Sequence, residues 1–364
     1  MGESRLSRIV AKADSPDVPI QHQKFTLYWS SLDLYEKCPQ RFLWSRGWGN
    51  IDVGGGPGKR KPLPEKTSDH HRVMGNTIAK VSEYRYNGTE DAKFPSTTED
   101  GKPHPQAGKN IPWWMLYKGS ELVERLEKAT EREFDYYCDK PKTYIPFGGF
   151  NKGRVPTRSE LLNVCLEGVR GYLKTMVANK LVGQYAFAEV NLLGYINEDN
   201  PIGGRADLLL RREEGVVILD GKNSAHKGRH TDPNQLVWYA LCFYVAYGRL
   251  PEKLGFIYYR YPYDPATDET GVEWVEFDPG DVKGLAVRAV EARAAMYRHE
   301  FDPVPTPDVC RYCDFESICP ERQQQKAKNS KKRRESKKKK LERDLSGSNP
   351  LKEGAALLEL DFGQ

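Results

Sequence analysis

Residues 203–222 read Gly203-Gly204-Arg205-Ala206-Asp207-Leu208-Leu209-Leu210-Arg211-Arg212-Glu213-Glu214-Gly215-Val216-Val217-Ile218-Leu219-Asp220-Gly221-Lys222. Two apolar, β-rich runs flank Glu213-Glu214-Gly215, and that pattern predicts a hairpin of strands 203–212 and 215–222. Pairing of the two strands brings Asp207, Asp220 and Lys222 to a common sheet edge. Carboxylate oxygens suit a hard divalent cation such as Mg²⁺ or Mn²⁺. An ammonium beside them orients a water or offsets charge growing on a phosphate. The set suits metal-assisted phosphodiester hydrolysis, with the main-chain carbonyl of Gly221 completing the metal shell. An Asp-x-Lys at a strand end also arises by chance, so its weight depends on its surroundings.

Those surroundings are informative. Tyr185-Ala186-Phe187-Ala188-Glu189-Val190 alternates as a strand does and offers Glu189 as a further acid on the same sheet. Gln235-Leu236-Val237-Trp238-Tyr239 opens an apolar helix with Gln235 and Tyr239 one turn apart on one face. Strands are expected at 185–195, 254–260 and 271–277 as well, and helices at 30–45, 69–87, 113–138, 158–180, 232–247 and 279–299. Pro39 falls inside the first of these helices and is expected to break or kink it. Mixed strands with helices on both sides indicate an α/β fold: a central mixed sheet in one domain over 24–320, with a helical insertion at about 113–180. Trp113 and Trp114 are read mainly as core, with base stacking the alternative. Gly54-Gly55-Gly56-Pro57-Gly58-Lys59 lacks the Gly-Lys-Ser/Thr ending of a phosphate-binding loop and is not a nucleotide site.

The chain holds seven cysteines and no apolar N-terminal run. That combination points to a reducing cytoplasm, and no stretch is long and apolar enough to enter a membrane. Cys310-x2-Cys313-x5-Cys319, with distant Cys38, has the spacing of a thiolate metal site. Tetrahedral zinc and an iron–sulfur cluster both satisfy it. Cys138, Cys165 and Cys242 lie among apolar neighbours and read as buried thiols. The net charge of +5 is uneven: residues 326–343 carry eleven basic and two acidic side chains, leaving −4 on the rest. Residues 1–23 read as a flexible arm and 321–348 as a basic, disordered or loosely helical tail that meets DNA phosphates.

Gly204-x-x-Asp207, Asp220-x-Lys222 and Gln235-x-x-x-Tyr239 resemble the core of the PD-(D/E)xK nucleases, specifically their RecB-like branch. Ser30-Ser31-Leu32-Asp33-Leu34-Tyr35-Glu36-Lys37-Cys38-Pro39-Gln40-Arg41-Phe42 resembles that branch's N-terminal segment, and Cys310 to Pro320 its C-terminal one. The layout is similar to AddB nuclease domains and the CRISPR-associated iron–sulfur exonucleases. The resemblance implies a restriction-endonuclease-like core and a metal-dependent DNA exonuclease in recombination, repair or replication. It implies a [4Fe–4S] cluster on Cys38, Cys310, Cys313 and Cys319 that staples the two ends of the chain, and a phage-like origin. Gln235 and Tyr239 would then hold substrate or the active-site strand. The family's early-helix histidine is missing: Ala79 stands in its place. His70, His71 or Glu83, one turn beyond Ala79, are the possible replacements; an inactive DNA-binding relative is the alternative. The C-terminal peptide 349–364 is apolar and acidic. Its segment 357–362, with Leu360 and Phe362 as anchors, is similar to a sliding-clamp-binding motif, though Leu357 stands where that motif has Gln.

Overall fold

The computed structural model describes residues 25–46, 70–140, 157–179, 181, 185–224, 226–228, 231–261, 271–311, 313, 315–316 and 319–347. The expected N-terminal arm, the glycine-rich segment at 54–59 and the C-terminal peptide lie outside them. The chain forms two compact units where the sequence pointed to one domain. One comprises the described residues up to Asp33 and those from His70 to Glu300. The other comprises Leu34 to Arg46 and the described residues from Phe301 onward.

The first unit is built on a six-stranded mixed sheet. Its strands are β1 (Leu27–Tyr28), β2 (Tyr185–Tyr195), β3 (Pro201–Arg211), β4 (Val216–Lys222), β5 (Lys253–Tyr258) and β6 (Val272–Val275). The predicted hairpin is present: β3 and β4 pair antiparallel from Leu208↔Leu219 to Arg211↔Val216. β2 runs antiparallel along the whole of β3, and β1 pairs parallel with it at Ile202 and Gly203. β5 lies parallel to β4 and β6 antiparallel to β5. A parallel pair needs a crossover, and the helix Pro233–Tyr247 supplies it between β4 and β5.

The helices, numbered along the whole chain, are α1 (Trp29–Lys37), α2 (Pro39–Ser45), α3 (His70–Asn87), α4 (Trp113–Leu116), α5 (Gly119–Cys138), α6 (Arg158–Ala178), α7 (Pro233–Tyr247), α8 (Pro279–Tyr297), α9 (Pro307–Arg311) and α10 (Pro320–Gly347). On one face of the sheet, Ile78 and Val81 of α3, Leu126 and Phe134 of α5 and Cys165 and Val169 of α6 pack on Ala186, Ala188, Leu208, Leu210, Val217 and Leu219. α7 is apolar all round because the sheet lies on one side of it and α8 on the other. Trp113 belongs to the core and donates to Thr89 Oγ1 at 3.2 Å; Trp114 packs beside it.

β2 and β3 do not keep one face throughout. Ala186, Ala188, Leu208 and Leu210 join the α3–α5–α6 core. A Cβ on Gly194 or Gly204 would instead meet Val245 or Tyr239 of α7. Even-numbered residues of an unbroken strand share a face, so both strands turn over between these positions. The turn-over spans Glu189, whose φ of 54° lies in the left-handed region, and its register neighbour Asp207. Distortions of this kind re-aim side chains beside active sites.

In the second unit, α1 ends at Lys37 and α2 starts at Pro39, with Cys38 extended between them at φ −163°, ψ 99°. Proline disfavours the helical region for the residue before it and fits the first helical position, so the expected break falls at Cys38. Trp44, Phe315 and Cys319 form a small core, with the Trp44 and Phe315 rings 5.5 Å apart. Of the two forms expected for the basic tail, disordered or loosely helical, the structure has the helical one: Pro320–Gly347 is one helix, and its described basic residues from Lys328 on are exposed. No Gly or Pro interrupts Glu321 to Ser346, and Lys, Arg, Gln and Glu are good helix formers. Glu321 in the first turn favours the helix dipole.

Candidate active site

Asp220 ends the buried run of β4 and is 3% exposed. Its Oδ1 accepts from Gln235 Nε2 at 2.9 Å and, at 3.4 Å, from the Tyr239 hydroxyl. Its Oδ2 faces Lys222 Nζ at 2.6 Å as an ion pair but accepts no hydrogen bond of good geometry. Lys222 Nζ also donates to Gln235 Oε1 at 2.9 Å, so the one amide of Gln235 holds both the carboxylate and the ammonium. Asp207 Oδ2 accepts the Gly221 N–H at 2.7 Å, which ties the two strands together at the site.

Local sequence explains these placements. Asp232 caps α7 by accepting from the Asn234 N–H, and Pro233 fits its first turn. Gln235 and Tyr239 then point from successive turns at Asp220. Gly221 is required by space: a Cβ there would lie 1.7 Å from the Tyr259 hydroxyl oxygen.

Across β3, Asp207 shares a small cavity with Ala79, Ser82 and Glu83 of α3, Glu189 and Tyr259. Glu189 is ion-paired with Arg205, and Glu83 Oε2 with Lys80 at 2.8 Å. Asn87, the last residue of α3, donates to the Ala188 carbonyl at 3.0 Å and accepts from the Ala188 N–H at 3.3 Å, pinning β2 next to Glu189. Burial raises the Asp207 pKa well above the ordinary carboxylate range, and the charges of Asp220 and Glu189 raise it further. Burial also raises Asp220, with Lys222 opposing. Glu189 is raised by burial and then by Glu83, with Arg205 opposing. Several carboxylates short of water are relieved by protons or by a cation.

Asp207, Asp220, Lys222, Gln235 and Tyr239 are therefore together, while Glu189 and Glu83 line the cavity on the Asp207 side. His70 and His71 occupy the first turn of α3, and their side chains lie outside the described residues. Asn87 and Tyr259 escaped the sequence reading; neither belongs to a spacing motif, and only the approach of α3 and β5 brings them in. Among the described residues no three His, Cys, Asp or Glu side chains are gathered as a finished metal cage. The hard-oxygen donor set and the under-coordinated Asp220 Oδ2 nevertheless fit Mg²⁺ or Mn²⁺.

Within the second unit, Cys38, Cys310, Cys313 and Cys319 line one cavity, together with Arg41, Trp44 and Arg322. All four are free thiols. Burial raises the pKa of Cys310, Cys313 and Cys319. Cys165, by contrast, stands in the apolar core and is pushed up to about 12, and Cys242 is raised by burial too, as inert thiols are.

A mixed sheet flanked by helices, with one buried and one half-buried aspartate and a lysine on adjacent strands, defines a class of metal-dependent nucleases. The chain belongs to the PD-(D/E)XK nuclease superfamily, whose family model matches residues 29–320. Among solved structures the chain is similar to the one described as "Crystal structure of SSO0001", at 23% identity over 45% of this chain and 78% of that one, with a TM-score of 0.27. No curated protein matches the sequence. Among the described residues no helix is long and apolar enough to cross a membrane.

Proposed function

We propose that this protein is a Mg²⁺- or Mn²⁺-dependent DNA exonuclease of the RecB-like branch, serving recombination, repair or replication. The observation that carries the nuclease reading is the Asp220–Lys222–Gln235 triangle beside Asp207, with contacts of 2.6–2.9 Å. Asp207, Asp220 and the Gly221 carbonyl would hold the metal, and Glu189 and Glu83 line the same cavity as Asp207. When bound, the metal supplies Lewis-acid charge on the phosphate and a more acidic water. Lys222 orients the attacking water and meets the charge that grows on the phosphate oxygens. Gln235 positions Lys222 against Asp220, and Tyr239 fixes the Asp220 rotamer. Arg205, exposed on β3 and ion-paired with Glu189, would meet the DNA backbone.

The exonuclease assignment rests on the resemblance of Ser30–Phe42 and Cys310–Pro320 to the iron–sulfur exonuclease segments. The shared cavity of the four thiols supports a [4Fe–4S] cluster there, with structural zinc as the alternative. An inactive DNA-binding module is the second reading, favoured by Ala79 where the family has histidine. The presence of Glu83 in the same cavity argues for activity. The test is digestion of linear and closed-circular plasmid with Mg²⁺ or Mn²⁺ by wild type and Asp220→Ala. Loss of linear DNA alone, abolished by the substitution, is expected. Equal digestion by both proteins would refute the site, and cutting of the closed circle would make the enzyme an endonuclease.

A further inference from the structure

Among the described strands β2 pairs with β3 alone, so its other side is a sheet edge. At Ala188 that edge is met by a side chain. Asn87 Nδ2 donates to the Ala188 carbonyl at 3.0 Å, and Asn87 Oδ1 accepts from the Ala188 N–H at 3.3 Å. A carboxamide carries a donor and an acceptor side by side, as a peptide pair across a ladder does, so Asn87 takes the place of one residue of a neighbouring strand.

Two features fix the amide there. α3 ends at Asn87 because Gly88 leaves the helix at φ 66°, with its N–H on the Tyr84 carbonyl at 3.0 Å. A Cβ on Gly88 would lie 2.2 Å from the Ile111 carbonyl oxygen, so no side chain fits at that exit. Glu83, one turn back, decides which way the amide faces. Its Oε1 accepts from Asn87 Nδ2 at 3.3 Å, and a carboxylate paired with Lys80 at 2.8 Å has no proton to offer Oδ1.

The residue after Ala188 is the one that needs holding. Glu189 lies at φ 54°, a region that residues of its type seldom adopt and keep only where their neighbours enforce it. Ala188 and Glu189 both line the Asp207 cavity, whereas successive residues of a regular strand point to opposite faces. On the far side of Glu189 the register with β3 resumes at Val190↔Ala206, and Arg205 holds the carboxylate as an ion pair. On the near side Asn87 holds the backbone. Without that hold β2 is free to alternate regularly, and regular alternation turns residue 189 away from Asp207.

We infer that Asn87 is a positioning residue of the nuclease centre: through the Ala188 backbone it aims the Glu189 carboxylate into the cavity where Asp207 would bind a divalent cation. The inference deepens the nuclease reading and rests on it. The test is calorimetric titration of the full-length protein with Mn²⁺, without DNA, for wild type, Asn87→Ala, Asn87→Leu, Glu189→Gln and Asn87→Ala/Glu189→Gln. Groups that orient a metal-binding side chain are worth about 10–100-fold in affinity, so Asn87→Ala should weaken Mn²⁺ by about that factor. Asn87→Leu, which keeps the volume and loses the bonds, should do the same. Glu189→Gln should also weaken Mn²⁺. Adding Asn87→Ala to it should change affinity by less than about two-fold, because the hold then has no carboxylate to aim.

Thermal melts in EDTA separate this role from a brace of the sheet edge. A lowered Tm in both Asn87 variants, with Mn²⁺ affinity within about two-fold of wild type, would make the contact structural and overturn the inference. A loss in the double variant equal to the product of the two single losses would overturn it as well. Digestion of linear DNA by wild type is scored separately. Wild type that binds Mn²⁺ and cuts DNA, while the Asn87 variants bind the ion equally well, removes the positioning role alone. Wild type that neither binds Mn²⁺ nor cuts removes the nuclease reading itself.

Discussion

Asp207 is held in a cavity that suits a proton better than a bare charge. Its pKa is raised by burial, then by Asp220 and Glu189. In the unfolded chain an aspartate loses its proton near about 3.9. The folded, metal-free protein therefore binds more protons than the unfolded chain between that value and the raised one. Stability should fall as pH rises through that window. Calorimetry in EDTA should show Tm dropping with pH there, and Asp207→Asn should flatten the slope. A slope unchanged by the substitution would place the buried charge elsewhere. Lys222→Ala should lower the cleavage rate by about 10²–10⁴-fold, the range of a positioned proton-handling group. Gln235→Ala, which frees the ammonium, should lower it less while leaving metal affinity near wild type. Asp207, Asp220, Lys222, Gln235 and Tyr239 were legible because their chemistry requires a fixed spacing on recognisable strands and one helix face. Asn87 was not: its contact with Ala188 spans 101 positions, and no local pattern announces it.

At the scale of elements, glycine separates tight packing from mere flexibility. A Cβ on Gly171 in α6 would lie 2.2 Å from the Tyr259 carbonyl oxygen, backbone that cannot swing aside. Gly171→Ala should destabilise the first unit by about 1–3 kcal/mol, as overpacking does. Gly75, inside α3, has nothing within 4 Å of the place a Cβ would take. Gly75→Ala should stabilise by about 0.5–1 kcal/mol, the helix-propensity difference. Urea melts of the two variants read the contrast directly. Strands β2 and β4 and helices α3 and α7 fall within a residue or so of the positions expected from periodicity. β1 was invisible because two residues carry no period. The long helix expected at 113–138 is divided because Tyr117 and Lys118 are extended before Gly119. The face switch at Glu189 was also hidden: alternation continues in the letters while the backbone turns over.

For the whole molecule, the order of motifs along the chain made the superfamily legible, whereas the division into two units was not. Association of residues 34–46 with those beyond 300 is tertiary information that composition does not hold. Two predictions belong here. Anaerobically purified protein should be brown with about four irons per chain, and Cys38→Ser should bleach it as fully as Cys313→Ser. Colourless protein with stoichiometric zinc would replace the cluster by a zinc site. Removing residues 326–343 from α10 should weaken DNA binding at low salt and flatten its salt dependence without changing the cleavage products. An unchanged slope would take the helix off the DNA.

The second unit has two halves that are far apart in the order of synthesis. At about 5–20 residues per second, Tyr35, Cys38, Phe42 and Trp44 leave the ribosome roughly ten to fifty seconds before Phe301 is added. Throughout that interval the first unit is being completed while these apolar side chains and the Cys38 thiol await Phe315 and the later cysteines. Translation that stops short of Phe301 therefore releases an orphaned half-unit beside a nearly finished sheet. Such a product displays what chaperones and proteases select, so quality control would discard a truncated chain before its carboxylates meet DNA.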